Sequence, residues 1–341
     1  MKIKNVYIEI TNQCNLNCRT CYNRSGLNKQ KEEISVEFLE KLILTLSEYG
    51  ADRFLLSGGE PSLHSRFHDI LKLTDRYPQF SYGFVTNGTV LDNEWIDYIN
   101  SHDNLTLQIS LDGANEKQNA LTRGIGNFEK AVTFAQRINN NNIQKRIKAV
   151  ISQGNIDCVE DFYRLAVSLG FDPEFAFIYK SGNGSDNWGA KALSAQQKLH
   201  ILKTVDNLNK EYGIDAFLPL CSGGCPLAFE SSALNIAVKP NGSIHPCQSL
   251  YDDRFSIGNA FDFSIDETKQ KLEIIRSIAK HRTISDYGCN KCLLNSICGR
   301  GCMAEAFHLN EDPLANDGSC LYRKSQFLHF NIKEIRKPPV S

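Results

Sequence analysis

The sequence predicts an α/β fold in which helices cover a parallel sheet, followed by a smaller cysteine-rich region. Three observations lead to this prediction. Apolar, β-branched runs alternate with amphipathic helical patterns through the first half of the chain. The turns that follow these runs are rich in Gly, Asn and Asp. Most of the twelve cysteines are clustered, either near the start or towards the end of the 341 residues.

The first strand is expected at Val6–Ile10, and helices and strands alternate after it. A helix that begins at Ser35 has apolar residues at positions i, i+3, i+4 and i+7 and ends at Gly50. Such alternation with short turns indicates parallel strands. Six such units could form a partial barrel or an open sheet. The remaining strands are predicted at Arg53–Leu56, Ser81–Val85, Leu105–Leu111, Ile147–Ile151 and Glu174–Tyr179, and the remaining helices at Phe67–Tyr77, Asp92–Ser101, Asn127–Ile138 and Cys158–Leu169.

Composition and charge narrow the class of function. Hydrophobic residues make up 41% of the chain and charged residues 23%, which is typical of globular proteins. The net charge of -1 disfavours a nucleic acid or an anionic membrane as the main partner. No apolar run approaches the roughly 20 residues of a membrane span, and the N-terminus has no signal peptide. We therefore expect a cytoplasmic protein, whose clustered cysteines are metal ligands or catalytic groups.

Three cysteines follow the first strand in a C-x3-C-x2-C spacing: Cys14, Cys18 and Cys21. The loop that carries them is rich in Asn, which tolerates turn geometry. A structural zinc site normally has four protein ligands. Three cysteines without a nearby fourth fit better a [4Fe–4S] cluster with one open iron. A zinc site that uses a distant fourth ligand is the alternative.

The next three predicted strands are each followed by a distinctive turn. The turns read SGGEP at Ser57–Pro61, TNG at Thr86–Gly88 and SLDG at Ser110–Gly113. Two adjacent glycines let a backbone approach a ligand closely, and the carboxylate of Glu60 can bind an ammonium group. Because the carboxyl ends of parallel strands share one edge of the sheet, we expect these turns to surround one ligand.

The cysteine spacing followed by Tyr22, together with GGEP, TNG and SLDG, resembles the radical S-adenosylmethionine (SAM) enzymes. The resemblance covers roughly residues 1–181 and implies a partial (β/α)6 barrel. It implies that Cys14, Cys18 and Cys21 hold a [4Fe–4S] cluster whose open iron binds SAM. Cleavage of SAM would then give a 5′-deoxyadenosyl radical that removes hydrogen from a C–H bond. The residues implied around SAM are Gly58, Gly59 and Glu60 at its amino group, Ser110 and Arg123 at its ribose or carboxylate, and Asn87 and Tyr22 in the same pocket.

The second half of the chain begins with a polar, Gly-rich break at Gly182–Asn187, the best candidate for a linker. A helix is predicted at Ser194–Tyr212 and a hairpin at Ala233–Cys247. We expect a barrel at 1–181, a linker and bridging helix at 182–213, and a third region at 214–341. The eight cysteines of the third region suffice for two four-ligand sites, and their spacing does not separate zinc from iron–sulfur.

The order of these eight cysteines resembles the SPASM extension of radical SAM enzymes, which holds two auxiliary [4Fe–4S] clusters. The stretch between Cys225 and Gly242 is slightly longer than the usual family spacing. Cys158 is left over, either as a buried apolar residue or as a hydrogen-atom donor. The resemblance assigns Cys221, Cys225, Cys247 and Cys302 to the first auxiliary cluster, and Cys289, Cys292, Cys298 and Cys320 to the second.

SPASM enzymes mostly modify peptides or proteins, so the resemblance implies post-translational modification of a ribosomally made peptide by cross-linking, epimerisation or oxidation. The implied partners are the peptide and a flavodoxin- or ferredoxin-type reductant. The first strand begins within ten residues of Met1. We therefore expect no fused leader-peptide-binding domain, and a separate leader-peptide-binding protein is a possible partner.

Two alternatives stay open. One is a two-electron oxidation, of a sulfatase residue or a small alcohol. Sulfatase maturases place an acidic base directly after the cysteine that matches Cys247, but this chain has Gln248 there, with Asp252 and Asp253 nearby. The other alternative is a non-catalytic iron–sulfur electron carrier or a zinc-binding protein, for which the GGEP turn would have no purpose.

Overall fold

The computed structural model describes residues 2–27, 30–214, 216, 225–228, 233–284 and 289–329. A nine-stranded sheet in the order β6-β5-β4-β3-β2-β1-β7-β8-β9 forms its centre. The strands β1 to β6 pair in parallel, which confirms the α/β prediction. The strands are β1 Lys2–Thr11, β2 Arg53–Gly58, β3 Ser81–Thr86, β4 Leu105–Ser110, β5 Gln144–Ile151, β6 Asp172–Phe177, β7 Ala233–Val238, β8 Ser243–His245 and β9 Gly258–Asn259.

Helices connect the parallel strands and bury their apolar sides against the sheet. In α1, five residues from Val36 to Leu46 are buried, and the Ser35 hydroxyl caps the helix by accepting the Phe38 N–H at 3.2 Å. The first seven helices are α1 Val36–Glu48, α2 Phe67–Arg76, α3 Asn93–Ser101, α4 Glu116–Arg123, α5 Phe128–Arg137, α6 Val159–Ser168 and α7 Ala195–Tyr212. The last four are α8 Ile265–Ile284, α9 Asn295–Cys298, α10 Met303–Asn310 and α11 Cys320–His329.

Helix α4 is an element that the sequence pattern did not predict. Its only buried residues are Asn119 and Thr122, so it has no apolar stripe. It begins at a polar cap instead, where the Asn115 side chain accepts the Gln118 N–H at 2.9 Å. Polar contacts hold this helix in place.

The predicted hairpin exists, but it continues the main sheet. Strand β7 pairs in parallel with β1, with Val6 opposite Ile236 and Ile8 opposite Val238. Strand β8 then pairs antiparallel with β7. Strand β1 is therefore an interior strand with a partner on each side. Among the described residues, no helix has the length and apolar character that a membrane span requires.

Helix α7 connects the two halves of the chain. It begins with a capping box formed by Ser194 and Gln197. Farther along, the buried Lys198 ammonium lies 3.0 Å from the Glu305 carboxylate and donates to the Ser319 hydroxyl at 2.7 Å. These contacts join α7 to the cysteine-rich region. The division at residues 181 and 213 stays a prediction.

We predict that a chain truncated after residue 213 associates into larger species than the full chain does. Removal of β7 leaves the N–H and C=O groups along one side of β1 unpaired, and such an edge promotes association. Size-exclusion chromatography with circular dichroism, with the full chain as control, measures this. A monomeric truncated chain with the expected helix content would contradict the prediction.

Candidate functional site

The loop that carries the first three cysteines begins where β1 ends, and the turn after β2 holds it. The Gly59 N–H donates to the Thr11 carbonyl at 2.8 Å, and the Glu60 N–H donates to the Gln13 carbonyl at 2.8 Å. These bonds continue the pairing of β1 with β2 beyond both strand ends. The start of the cysteine loop is therefore attached to the sheet.

This close approach explains the two glycines of the turn. A Cβ atom on Gly58 would lie 2.1 Å from the Thr11 carbonyl oxygen, and Gly58 has a φ of +137°. A Cβ atom on Gly59 would lie 2.1 Å from the Gln13 carbonyl oxygen. Both distances are far below van der Waals contact. Only glycine fits at these two positions, because the chain's own backbone at Thr11 and Gln13 leaves no room for a Cβ atom.

The three thiols of the loop lie close enough for their charges to interact. Burial raises the pKa of the Cys14 thiol to about 12, and burial raises that of Cys18 to about 11. The Leu16 N–H donates to Cys14 Sγ at 3.4 Å. Without a bound group, Cys14 and Cys18 are protonated at neutral pH. A metal or cluster must therefore displace protons when it binds.

The Glu60 carboxylate links the turns after β2 and β3. It is fully buried and accepts the Asn87 N–H at 2.7 Å, the Thr86 hydroxyl at 2.9 Å and the Ser62 hydroxyl at 2.7 Å. The Asn87 side-chain nitrogen lies 3.9 Å from Cys14 Sγ. The structure thus brings the predicted residues Glu60 and Asn87 to the cysteine loop. Both oxygens of the Glu60 carboxylate already have donors in this chain.

Arg123 lies beside a different cysteine of the loop, Cys18. Its Nη1 atom is 3.9 Å from Cys18 Sγ, and its Nε atom is 3.0 Å from the Asp112 carboxylate. Asp112 is fully buried and also accepts the Val150 N–H at 2.8 Å and the Thr122 hydroxyl at 2.7 Å. Asp112 belongs to the SLDG turn, and the sequence did not indicate a role for it. Its role is to hold Arg123 beside the cysteines.

Ser110 is the last residue of β4 and lies in register with Lys148 of β5. The Lys148 ammonium is 2.8 Å from the Glu174 carboxylate of β6. Because parallel strands in register place paired side chains on one face, an ion pair lies beside Ser110. Its contact with SAM stays a prediction.

The predicted linker contacts the cysteine loop. The Asn183 N–H donates to the Cys21 carbonyl at 2.8 Å, and the Asn183 amide donates to the Cys18 carbonyl at 2.9 Å. Gly182 has a φ of +54°, and a Cβ there would lie 2.4 Å from the Cys21 carbonyl oxygen. The glycine and asparagine of this polar break therefore close the segment after β6 onto the loop.

Tyr22 lies in a half-buried group of tyrosines beside β1. Its hydroxyl donates to the Glu9 carboxylate at 3.1 Å and lies 3.2 Å from the Tyr7 hydroxyl. The Tyr7 hydroxyl donates to Ser57 Oγ at 2.6 Å. The Tyr22 ring stacks on Tyr251 with ring centroids 6.0 Å apart. Tyr251 comes from the second half of the chain, so this stack joins the halves.

Glu9 is a site residue that the sequence analysis missed. It was part of the apolar run Val6–Ile10, yet it is 1% exposed and accepts the Asn23 side-chain N–H at 2.8 Å. Burial raises the pKa of its carboxyl group above the ordinary value. An acidic residue inside an otherwise apolar strand was the signal that could have identified it.

A polar cavity of about 380 Å³ lies between the cysteine loop and the hairpin turn. Its volume is within the range of small-ligand pockets. Among the described residues that line it, the Ser25 hydroxyl is buried and has no hydrogen-bond partner. An unsatisfied buried hydroxyl indicates room for a polar ligand. The cavity is lined by Glu9, Asn12, Asn23, Ser25, Gln30, Glu32, Lys239, Pro240 and Asn241.

Three cysteines of the second half form one group. Cys225, Cys247 and Cys302 lie close enough for their charges to interact. The Ser249 N–H donates to Cys247 Sγ at 3.4 Å. Burial raises the pKa of the Cys247 thiol to about 12. Cys221, the expected fourth member, lies outside the described residues.

The other four cysteines line one cavity together with the cationic side chains Arg300, Arg323 and Lys324. The Arg323 Nε–H donates to one of the thiols at 3.2 Å. Among the described residues, the cysteines that lie near each other are therefore those that the family resemblance assigned to the same cluster. These four cysteines are Cys289, Cys292, Cys298 and Cys320.

Within the parts of the chain that the structure describes, no three His, Cys, Asp or Glu side chains converge on the position of a single metal ion. The cysteines of a [4Fe–4S] cluster surround a larger group of atoms and stand farther apart than the ligands of one ion.

The position that sulfatase maturases use for a base is Gln248 here, and the nearby acid Asp252 is already paired. Its two carboxylate oxygens accept from the Arg254 guanidinium at 2.7 and 3.0 Å. Asp252 also caps a short helix by accepting the Arg254 N–H at 3.1 Å. Asp252 therefore has a local structural role.

We predict that Gly59→Ala displaces the cysteine loop. The added methyl would overlap the Gln13 carbonyl, so the loop must shift and cluster assembly at the first three cysteines should fall at least several-fold. Iron content after anaerobic reconstitution measures this. Gly189→Ala is the matched control, because a Cβ at Gly189 meets no atom within 4 Å. Equal iron content in both variants would contradict the prediction.

A comparison with protein families matches residues 8–166 to the Radical SAM superfamily. Among curated proteins, the mycofactocin maturase MftC of Mycolicibacterium smegmatis is 27% identical over 310 residues, covering 88% of this chain and 78% of that protein. An AdoMet-dependent heme synthase of Methanosarcina barkeri is 24% identical, covering 92% of this chain and 95% of that protein.

Solved structures show the same fold. The structure of anSMEcpe with bound AdoMet has a TM-score of 0.76 at 20% identity, covering 98% of this chain and 94% of that chain. The structure of Streptococcus suis SuiB bound to S-adenosylmethionine has a TM-score of 0.71 at 16% identity, covering 92% of this chain and 76% of that chain. Residues 8–166, which carry the cysteine loop and the turns around it, therefore match a Radical SAM domain, and the fold is that of structures solved with bound AdoMet.

Proposed function

We propose that this enzyme modifies a ribosomally made peptide, beginning with hydrogen abstraction by a 5′-deoxyadenosyl radical. The observation that carries the proposal is the similarity to the maturase MftC, which covers 88% of this chain and so extends into its cysteine-rich half. The sporulation killing factor maturation protein SkfB of Bacillus subtilis is 27% identical over 190 residues. SuiB, which shares the fold, has been solved bound to the precursor peptide SuiA.

The cysteine loop is the proposed radical site. When bound there, the cluster supplies the electron that breaks the S–C5′ bond of SAM. The turn after β2 would meet the SAM amino group through its backbone, because the Glu60 carboxylate is already fully engaged. The proposed cluster ligands are Cys14, Cys18 and Cys21, and the proposed SAM contacts are Tyr22, Gly58, Gly59, Glu60, Asn87, Ser110 and Arg123.

The chain's own charges suit an anionic group at this loop. The Arg123 guanidinium lies beside Cys18 and keeps its charge, because its pKa is raised by Asp112 and by the thiols although burial acts in the opposite direction. A cation held in this position offsets the negative charge of thiolate ligands. Asp112 fixes the guanidinium, and the Asn87 amide lies near Cys14.

We propose two auxiliary [4Fe–4S] clusters in the second half. Support comes from three arginines that are almost fully buried among its cysteines: Arg282 at 0%, Arg300 at 3% and Arg323 at 5% exposure. Cations beside cysteines stabilise the negative charge of thiolate ligands. Thiolate-ligated clusters supply that charge. The proposed ligands are Cys221, Cys225, Cys247 and Cys302 for the first cluster, and Cys289, Cys292, Cys298 and Cys320 for the second.

The polar cavity beside Glu9 is the proposed entry of the peptide. Its amide-rich lining can pair with peptide backbone groups, and the buried Ser25 hydroxyl provides an unsatisfied donor and acceptor. A flavodoxin- or ferredoxin-type protein is the proposed electron donor. A separate leader-peptide-binding protein is the proposed accessory partner.

Oxidation of a small molecule is the second candidate function. It is favoured by the similarity to the AdoMet-dependent heme synthase of Methanosarcina barkeri, which covers almost the whole of both chains. Assays with the precursor peptide and with small-molecule substrates separate the two. Turnover of only the small molecule would select the second candidate.

We predict that changing Cys14, Cys18 and Cys21 together to Ala abolishes 5′-deoxyadenosine formation in the anaerobically reconstituted, reduced enzyme. Iron content should fall from about 12 to about 8 atoms per chain, as expected for loss of one of three four-iron clusters. Cys158→Ala is the control, since Cys158 is buried at the start of α6 and should leave both values unchanged. Continued cleavage of SAM in the triple variant would refute the site.

We predict that Ser25→Leu lowers turnover of the precursor peptide at least tenfold, because the larger side chain fills the cavity. SAM cleavage without peptide should stay unchanged, since Ser25 is not among the proposed SAM contacts. Ser168→Leu, at an exposed position on α6, is the control. Equal peptide turnover by the two variants would rule out the cavity as the peptide entry.

A further inference from the structure

The two groups of cysteines in the second half share one buried ion pair. The Asp317 side chain is 0% exposed and the Arg323 residue 5% exposed. Two guanidinium nitrogens of Arg323 donate to the two carboxylate oxygens of Asp317. Such a paired geometry fixes both side chains against each other.

Each member of the pair contacts a different cysteine group. The Asp317 carboxylate accepts the Cys302 N–H at 2.8 Å, and Cys302 belongs to the first group. The Arg323 Nε–H donates to Cys298 Sγ at 3.2 Å, and Cys298 belongs to the second group. The pair therefore spans the space between the proposed auxiliary clusters.

The backbone between these two cysteines is shaped around the pair. Gly301 has a φ of +77°, and its N–H donates to the Cys298 carbonyl at 2.8 Å. A Cβ atom on Gly301 would lie 2.1 Å from the Asp317 carboxylate and 2.3 Å from the Arg323 guanidinium carbon. Only glycine lets the chain pass so close to both charges. This close fit indicates that the pair is an organised part of the site.

The charges around the two groups differ among the described residues. The second group is lined by three cations, Arg300, Arg323 and Lys324. Near the first group, Arg282 interacts with the cysteines, and the Asp317 carboxylate lies at the Cys302 backbone. Cations favour the more negative, reduced state of a cluster and anions disfavour it. The arrangement therefore favours an electron on the second group.

We propose that the Asp317–Arg323 pair sets an electrostatic gradient between the two auxiliary clusters, so that the second cluster has the higher reduction potential. This inference rests on the proposed function, which assigns iron–sulfur clusters to both groups. A single electron on the first cluster would pass to the second, oxidising the first and reducing the second without any bond being made or broken. Asp317 and Arg323 act through the clusters and are positioning residues.

Potentiometric titration followed by electron paramagnetic resonance tests the proposal on the full, reconstituted chain. The signal of the second cluster is the one lost in a Cys292→Ala, Cys320→Ala double variant. Arg323→Met should lower its reduction potential by about 59 mV, which corresponds to a tenfold change in the one-electron equilibrium. Asp317→Asn should raise the reduction potential of the first cluster, because an anion beside Cys302 is removed while a carbonyl acceptor is kept for its N–H.

Opposite signs in these two variants distinguish a charge effect from a general structural disturbance. Arg323→Lys keeps the charge and should stay near the wild-type potential, which provides a test if the Met variant assembles poorly. Arg164→Met is the control, because Arg164 pairs with Glu160 and Glu211 on an exposed surface. Unchanged potentials, or shifts of the same sign in Arg323→Met and Asp317→Asn, overturn the inference. Iron near 8 atoms per chain in the wild type instead overturns the auxiliary-cluster assignment on which it rests.

Discussion

Two backbone hydrogen bonds at the carboxyl ends of β1 and β2 position the proposed radical site. They join Gly59 to Thr11 and Glu60 to Gln13, each at 2.8 Å. The turn must be glycine-rich because the two backbones approach too closely for a side chain. The Glu60 carboxylate in turn accepts the Asn87 N–H and so holds the turn after β3 in place. The cysteine loop is thereby held by the sheet, although it has no regular secondary structure of its own.

The pairing of β7 with β1 brings the two halves of the chain together at one place. Tyr22 directly follows Cys21, and Tyr251 follows Cys247 by four residues. Their rings stack beside the buried carboxylate of Glu9. A sheet that continues across both halves therefore sets the relation between the proposed radical site and the first auxiliary site. The polar cavity lies along the same junction.

Buried charge is organised differently at the two ends of the molecule. At the radical site one arginine is held by one aspartate beside the thiols. In the second half, several buried arginines surround the cysteines, and the Asp317 carboxylate is close to one of the two groups. Cations beside the cysteines favour the binding of negatively charged clusters, so the protein's stability and its cluster content should depend on each other.

The sequence by itself determined the alternation of strands and helices, the three cysteines of the loop and the turns at the strand ends. These features depend on residues that are close together in the chain, and local spacing records them. The polar helix α4 was missed because it has no apolar period. The Gly-rich segment at Gly182 was interpreted as a linker because turn composition does not reveal what a turn touches.

Only the tertiary structure decided how distant parts meet. The contact of Asp112 with Arg123, the burial of Glu9 against Tyr22, and the ion pair between Asp317 and Arg323 all depend on how strands and helices pack in space. The grouping of the last cysteines followed from family resemblance, and their proximity follows from the fold. A single sequence records which residues can bind a cluster. Which cysteines share one cluster is determined only when the chain folds, because packing in space, and not spacing along the chain, brings them together.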